Sequence, residues 1–173
     1  MTPIERAKLS LDGLSVGDAL GERFFYGRRG NMLAGIRDHV VPPAPWPYTD
    51  DTEMALSIFE TLEQRGRIDQ DLLARLFALR YNPSRGYGIG AHLLLQTYRR
   101  GGSWRLESSR LFEGKGSYGN GAAMRVAPVG AFFADDLSSA RQNAILSAQT
   151  THMHRDGIAG AVAIAVAAAL AWP

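Results

Sequence analysis

Hydrophobic residues recur at helical spacing along most of the chain. The first stripe follows the order i, i+3, i+7, i+10 and consists of Ile4, Ala7, Leu11 and Leu14. Comparable stripes occur in four further segments, residues 55–62, 72–77, 88–102 and 137–148. No segment alternates between hydrophobic and polar residues over the length of a strand. The pattern predicts an all-α fold, organised as a single domain over residues 1–173.

Acidic residues mark the expected helix starts. Asp69 and Asp71 open one stripe, Asp135 and Asp136 open another, and Asp156 precedes the last apolar segment. Short acidic side chains at such positions accept hydrogen bonds from the free N–H groups of a helix start. We therefore expect helices to begin at these positions, with Asp156 as the cap of the last one.

Two long stretches lack a helical pattern. Four prolines lie between Pro42 and Pro47, which excludes a helix there and delivers the chain rigidly to Thr49. The second stretch, residues 103–125, is rich in glycine and serine and is expected to be irregular. Long loops in a compact domain are commonly functional, so both stretches are candidates for a site.

The last predicted helix, Ile158 to Trp172, carries no charged residue on any face. A helix that is apolar all round must be covered all round. We expect either a second chain to cover it or this sequence to be the N-terminal portion of a longer domain. Its Ala-rich apolar run is too short for a membrane span, which favours a buried helix.

Composition excludes several classes of protein. There is no cysteine, which rules out disulfides and thiolate metal sites. Nineteen Lys and Arg residues stand against seventeen Asp and Glu, a net charge of +2, which is not the footprint of a nucleic-acid-binding protein. The N-terminus has charges throughout and no apolar segment of a signal peptide. We expect a cytoplasmic protein.

The segment TDDTE, residues 49–53, allows two interpretations. Asp50 with Glu53 three residues later fits a capping box, in which both side chains bond the first turn of a helix. Two carboxylates beside the Thr49 hydroxyl also offer the oxygen ligands that Mg²⁺, Mn²⁺ or Ca²⁺ prefer. Considered alone, the segment favours the cap.

A glycine-rich segment follows at residues 114–121. It matches G-x-G-x-x-G, but no strand precedes it, which argues against a Rossmann-type nucleotide site. Gly119 and Gly121, on either side of Asn120, permit positive φ and close backbone approach. Their N–H groups would suit an anion such as phosphate, and Tyr118 would suit stacking on a base or sugar. An ordinary glycine-rich turn is the alternative.

Two other polar positions stand out. His152 and His154 are two residues apart, so they do not share a helix face, and a capping loop is favoured over a metal site. Asp18 lies between Gly17 and Gly21 in an apolar context and should be hydrogen-bonded if it is buried.

Four stretches together resemble one known family. GLSVGDALG, YTDDTEMAL, SYGNGAAMRVAPVG and THMHRDGIAGAVAIA, in this order, are similar to the ADP-ribosylglycohydrolases, which include dinitrogenase-reductase-activating glycohydrolase. The resemblance implies an all-helical fold and a binuclear Mg²⁺ or Mn²⁺ centre. It also implies hydrolysis of the bond that joins ADP-ribose to a protein side chain or a small conjugate.

The resemblance also implies roles for individual residues. Thr49, Asp50 and Asp51 would be the metal ligands, and the two aspartates would be catalytic. The pocket for the diphosphate and ribose would be lined by Ser117, Tyr118, Gly119, Asn120 and Gly121, with His152 close to the ligand.

This sequence departs from the family pattern at three points. Phe25 stands where many members carry a glutamate, and Glu22 is the nearest carboxylate. Arg155 stands where a proline often follows the second histidine. The Asp-x-Asp-Thr element that supplies further metal ligands near the family's C-terminus does not occur within these 173 residues. A non-catalytic ADP-ribose binder or scaffold is therefore the alternative function.

Overall fold

The computed structural model of the protein describes residues 1–25 and 29–172. These residues contain helices and no strand, so the predicted all-α fold is confirmed for them. The helices are α1 (Pro3–Glu22), α2 (Arg29–Arg37), α3 (Asp50–Arg65), α4 (Gln70–Arg80), α5 (Ile89–Arg99), α6 (Trp104–Gly114), α7 (Ala127–Phe132), α8 (Leu137–Gln149) and α9 (Arg155–Leu170), with short 3₁₀ turns at Pro83–Arg85 and Asn120–Ala122. In the described ranges, no helix is long and apolar enough to cross a membrane.

Helix α3 lies at the centre of the packing, because it contacts α1, α4 and α7. Helix α7 in turn packs against α1, α8 and α9. Large apolar side chains between these helices are almost completely buried, among them Met54, Ile58, Leu62, Leu73, Phe77, Leu95, Val126 and Val129. The acidic segment lies at the N-terminus of α3 and therefore rests on this core.

Small residues let α7 and α9 approach each other closely. A Cβ atom added at Gly130 would lie 2.0 Å from the carbonyl oxygen of Ala165. Ala161, Ala165 and Ala169 are buried on one face of α9. The alanine-rich sequence of α9 is therefore explained by close helix packing as well as by helix propensity.

The opposite face of α9 is exposed within this chain. Leu170 is 65% and Ile164 is 44% exposed, and Ala163 and Ala167 lie on the same side. The expectation that this apolar helix needs additional cover agrees with its exposed face. Which polypeptide covers it stays a prediction.

The helix starts predicted at residues 69–71 and 135–136 are confirmed. Asp69 accepts a hydrogen bond from the N–H of Leu72, and Asp136 accepts from the N–H groups of Ser138 and Ser139. The prediction for α9 was wrong. His154 is its N-cap and accepts from the N–H of Asp156, because Asp156 already lies inside the first turn.

The two stretches expected to lack helix behave differently. Residues 40–49, which include the prolines, contain no helix, as predicted. Residues 103–125 were wrongly expected to be irregular throughout, since α6 occupies Trp104–Gly114. Its last turn is not regular, because Phe112 and Glu113 have positive φ values of 52° and 62°. The glycine-rich segment begins at this break.

Candidate active site

The N-terminus of α3 is held by a carboxylate from α1. One oxygen of Asp18 accepts from the Thr49 hydroxyl at 2.6 Å. The other oxygen accepts from the Thr49 N–H at 2.8 Å and from the Thr52 hydroxyl and N–H at 2.6 and 3.2 Å. The expected hydrogen bonding of Asp18 is thereby confirmed. Four donors on one carboxylate fix the turn that presents Asp50 and Asp51.

The predicted capping box at this helix is wrong. Thr49 is the N-cap, and its side chain accepts from the N–H of Asp51. Glu53 is the fourth residue of the helix, one position beyond the residue that would bond back to the cap. Its side chain is buried. Its carboxylate instead accepts from the Tyr87 hydroxyl at 2.8 Å and from the N–H of Asn82 at 3.1 Å. Glu53 therefore ties the segment between α4 and α5 to α3.

Asp50 and Asp51 lie among other acidic groups. Burial, followed by the charges of Asp51, Asp18 and Glu53, raises the pKa of Asp50 to about 6. Burial and then the charge of Asp18 also raise the pKa of Asp51. Among the side chains that the structure describes, residues 1–25 and 33–172, no basic group contributes to either shift. A bound cation would remove this electrostatic cost.

The residues present fit a hard cation by ligand type. Asp50, Asp51 and Thr49 offer oxygen atoms, and Mg²⁺ is commonly held by one or two carboxylates with other oxygens completing its shell. Across the described ranges, no group of three or more His, Cys, Asp or Glu side chains is placed to hold one ion. The chain thus supplies part of a coordination sphere, and other oxygen atoms would have to complete it.

A cavity of about 300 Å³ joins the acidic segment to the glycine-rich segment. Its volume lies at the lower end of the range for small-molecule sites. Asp50 and Met54 from α3 form one side, and Gly88 to Ala91 and Phe112 form another. The remaining wall consists of Ser117, Tyr118, Gly119, Asn120, Gly121, Met124 and His152.

Gly121 is required by space and not by backbone conformation. The positive φ that glycine permits is not adopted here, because Gly119 has a φ of −64° and Gly121 is not among the residues with positive φ. The positive values occur earlier, at Gly114 and Gly116. Close approach is confirmed, since a Cβ atom at Gly121 would lie 2.9 Å from the imidazole of His152.

Two of the backbone N–H groups at the glycine-rich wall have no acceptor among the described residues. The N–H of Gly119 is donated to the Ser117 hydroxyl oxygen at 3.3 Å. The N–H groups of Asn120 and Gly121, which start the short 3₁₀ turn, have no hydrogen-bond acceptor in the part of the chain that the structure describes. Unpaired N–H groups at a turn are suited to an anion.

His152 closes the cavity as a neutral side chain. It is buried, and burial followed by the positive charge of Arg125 lowers its pKa to about 3. Its Nδ1 atom lies 2.8 Å from the Thr151 hydroxyl, and that hydroxyl also accepts from Arg125 at 2.9 Å. Arg125 itself is completely buried directly behind Gly121.

Comparison with known proteins identifies the family of this chain. The sequence model of the ADP-ribosylglycohydrolase family matches residues 1–172. The chain belongs to the ADP-ribosylglycohydrolase family. It is 34% identical to human ADP-ribosylhydrolase ARH3 over 97% of this chain and 50% of that protein, and 38% identical to the chicken protein of the same name over 98% and 51%. An uncharacterized protein of Archaeoglobus fulgidus is 32% identical over 95% of this chain and 55% of its own length. The chain spans about half the length of the curated relatives it matches.

The ADP-ribosylglycohydrolase residues inferred from the four sequence stretches fall into two groups. Asp50, His152 and the wall from Ser117 to Gly121 line the same cavity. Thr49 does not, and lines instead a smaller neighbouring cavity of about 100 Å³ with Glu22, Tyr48 and Arg85. Asp51 lines neither cavity. Glu22 thus lies on the acidic side of the site, whereas Phe25 is 75% exposed.

The residues that support the cavity wall from behind were not predicted from the sequence. Arg125 and Thr151 were not singled out, although both are buried and contact the pocket residues. The signal for Arg125 is visible in AAMRVAPVG, where one arginine stands in an otherwise apolar run. Nothing in the sequence distinguishes Thr151 from its neighbour Thr150.

Proposed function

We propose that this chain forms the ADP-ribose pocket of a metal-dependent glycohydrolase. The reaction is hydrolysis of the glycosidic bond between ADP-ribose and a protein side chain or a small conjugate. The observation that supports it best is the single cavity of about 300 Å³ shared by Asp50, the glycine-rich wall and His152. The ADP-ribosylhydrolase relatives that match nearly the whole chain agree with this assignment.

Thr49, Asp50 and Asp51 are the residues that would hold Mg²⁺ or Mn²⁺, in a centre of two ions. A bound divalent cation supplies Lewis-acid charge, which orients substrate oxygens and makes a water molecule more acidic. The half-buried, mutually repelling carboxylates support a cation at this position. In this proposal the hydrogen bond that the Thr49 hydroxyl donates to Asp18 keeps the hydroxyl hydrogen away from the ion.

We assign proton transfer, phosphate binding and stacking to different residues of the cavity. Hydrolysis breaks the bond from ribose C1″ to the leaving group, joins C1″ to the water oxygen, and returns a proton to the leaving group. We assign the acceptance of the water proton to Asp50, the carboxylate that lines the cavity. The free N–H groups of Asn120 and Gly121 bind phosphate oxygens. Tyr118, which is 71% exposed at the mouth, stacks on the base or sugar.

Release of ADP-ribose from a modified protein tests this function. We expect release that requires Mg²⁺ or Mn²⁺, first with this chain and then with a chain extended past residue 173 by its own coding sequence. Asp50→Asn in the more active form should be inert, because the cavity loses its carboxylate. The enzymatic proposal is wrong if the extended form is also inactive and binds no metal.

A non-catalytic ADP-ribose binder is the second candidate. It is favoured by one observation, the lack of a group of three metal-ligating side chains within the described ranges. Calorimetry separates the two functions. ADP-ribose affinity that EDTA leaves unchanged favours the binder, whereas affinity that falls on metal removal favours the hydrolase.

The proposed partners follow from the same pocket. The macromolecular substrate would be an ADP-ribosylated protein, and a second polypeptide or a longer form of this chain would cover the exposed face of α9. The lack of cysteine fits a reducing compartment such as the cytoplasm.

A further inference from the structure

Arg125 is a buried cation without a carboxylate partner. It is 0% exposed, and its guanidinium lies 4.7 Å from the ring centre of Phe77. Within residues 1–25 and 29–172 its oxygen acceptors are all neutral: the carbonyls of Gly121 and Ser147, at 3.0 and 2.8 Å, and the hydroxyl of Thr151 at 2.9 Å. Burying a charge in this way is costly, so its position directly behind the pocket wall calls for a function.

The hydroxyl of Thr151 connects this cation to His152. A guanidinium can only donate, so the Thr151 oxygen accepts from Arg125. The other polar atom that the hydroxyl contacts, among the described residues, is His152 Nδ1 at 2.8 Å. If Nδ1 carried the proton, the hydroxyl would accept twice and its own hydrogen would be buried without an acceptor, since Thr151 is 1% exposed. The hydroxyl therefore donates to Nδ1.

This direction fixes the tautomer of the imidazole. With Nδ1 as acceptor, the ring proton of neutral His152 resides on Nε2. The Nε2 atom faces the glycine-rich wall, because a Cβ atom would lie 3.2 Å from it at Gly121 and 3.8 Å from it at Gly119. Burial and the charge of the nearby guanidinium lower the pKa of His152 to about 3, so the imidazole is uncharged.

We propose that Arg125 and Thr151 are positioning residues, which hold His152 as an Nε2–H donor directed at an oxygen acceptor in the cavity. Arg125 fixes the Thr151 hydroxyl, and the hydroxyl fixes the imidazole. The identity of the acceptor rests on the proposed function, in which it is a diphosphate or ribose oxygen of ADP-ribose. The tautomer itself does not depend on any ligand.

Nitrogen-15 NMR of histidine-labelled chain without ligand tests the proposal directly. We expect one neutral form of His152, with a protonated Nε2 and an unprotonated Nδ1. Thr151→Val removes the hydroxyl at nearly constant shape and should introduce the Nδ1–H tautomer. Thr151→Ser keeps the hydroxyl and should restore the original spectrum.

Thr150→Val is the matched control. Thr150 is equally buried, and its hydroxyl donates to the Ser147 carbonyl without contacting His152. A loss of stability alone would therefore affect both valine variants, whereas the tautomer should change only in Thr151→Val. Arg125→Met should also yield a tautomer mixture, since the Thr151 hydroxyl then loses the donor that fixes its direction and can accept from an Nδ1–H. If Arg125→Met does not fold, the comparison of Thr151→Val with Thr151→Ser and Thr150→Val still tests whether the Thr151 hydroxyl fixes the tautomer.

Ligand affinity supplies the second readout. Thr151→Val should bind ADP-ribose about tenfold more weakly than Thr151→Ser or Thr150→Val, the loss expected for one misdirected hydrogen bond. An Nδ1–H or doubly protonated His152 in the unmodified chain overturns the proposal, as does an unchanged tautomer in Thr151→Val. If His152 carries its proton on Nε2 but the chain binds no ADP-ribose, the positioning roles of Arg125 and Thr151 are supported. Only the proposed function is then overturned.

Discussion

Replacing Asp50 by asparagine should stabilise the metal-free protein. Folding raises the pKa of this carboxyl from 3.8 to about 6. Between these values the unfolded chain has released the proton and the folded chain still holds it, so the folded state loses stability as the pH rises from about 4 to 6. An amide cannot ionise and escapes this loss.

The magnitude follows from the shift in pKa. About two pH units correspond to about 3 kcal/mol at neutral pH. Because the side chain is only half-buried, solvent screens part of the repulsion, and we expect Asp50→Asn to gain about 1–2 kcal/mol in free energy of unfolding. The gain should be close to zero near pH 4 and constant above about pH 7.

Urea denaturation in EDTA, followed by circular dichroism from pH 4 to 8, measures this difference. Asp12→Asn is the control, because Asp12 is exposed beside Lys8 and should change stability by less than about 0.5 kcal/mol. Added Mg²⁺ should then stabilise the unmodified protein and not Asp50→Asn. An Asp50→Asn protein that is equally or less stable at every pH would refute the reasoning about buried charge.

Three further substitutions test the packing and the support of the site. Gly130→Ala should destabilise the protein by about 3 kcal/mol or more, because the new methyl group would collide with the Ala165 carbonyl and separate α7 from α9. Gly13→Ala is the control, because a methyl group at this position of α1 meets open space, and it should stabilise the protein by about 0.5–1 kcal/mol. Equal effects of Gly130→Ala and Gly13→Ala in thermal unfolding would contradict the close contact between α7 and α9. Asp18→Asn should lower the free energy of unfolding by about 1–3 kcal/mol, since an amide offers one acceptor oxygen to the four donors of Thr49 and Thr52. An unchanged midpoint of urea denaturation would show that these hydrogen bonds contribute little.

The fold was predictable because helical periodicity is a local property. The stripes that begin at Ile4 and at residue 55 both became helices with buried faces. Helix α2 was missed, since its short segment of residues 29–37 mixes charged, glycine and apolar residues without a clear stripe. The predicted caps were wrong by one position at Asp50 and by two at Asp156, and sequence spacing alone does not fix such offsets.

The site was predictable only in part. Four weak motifs together placed Asp50, the glycine-rich wall and His152 in one pocket, and the structure brings these residues together. The conformation at Gly121 was not predictable, because its small size is required by the imidazole of His152 across space. The same holds for Arg125 and Thr151, whose contacts join residues 26 positions apart.

Titration of nitrogen-15-labelled protein with ADP-ribose in the presence of Mg²⁺ shows whether the cavity beside Asp50 binds this ligand. We expect saturable shifts of the backbone amides of Asn120 and Gly121 and of His152 Nε2, and little change around the separate cavity lined by Arg75 and Trp104. The absence of saturable shifts, or shifts concentrated at that second cavity, would contradict this expectation.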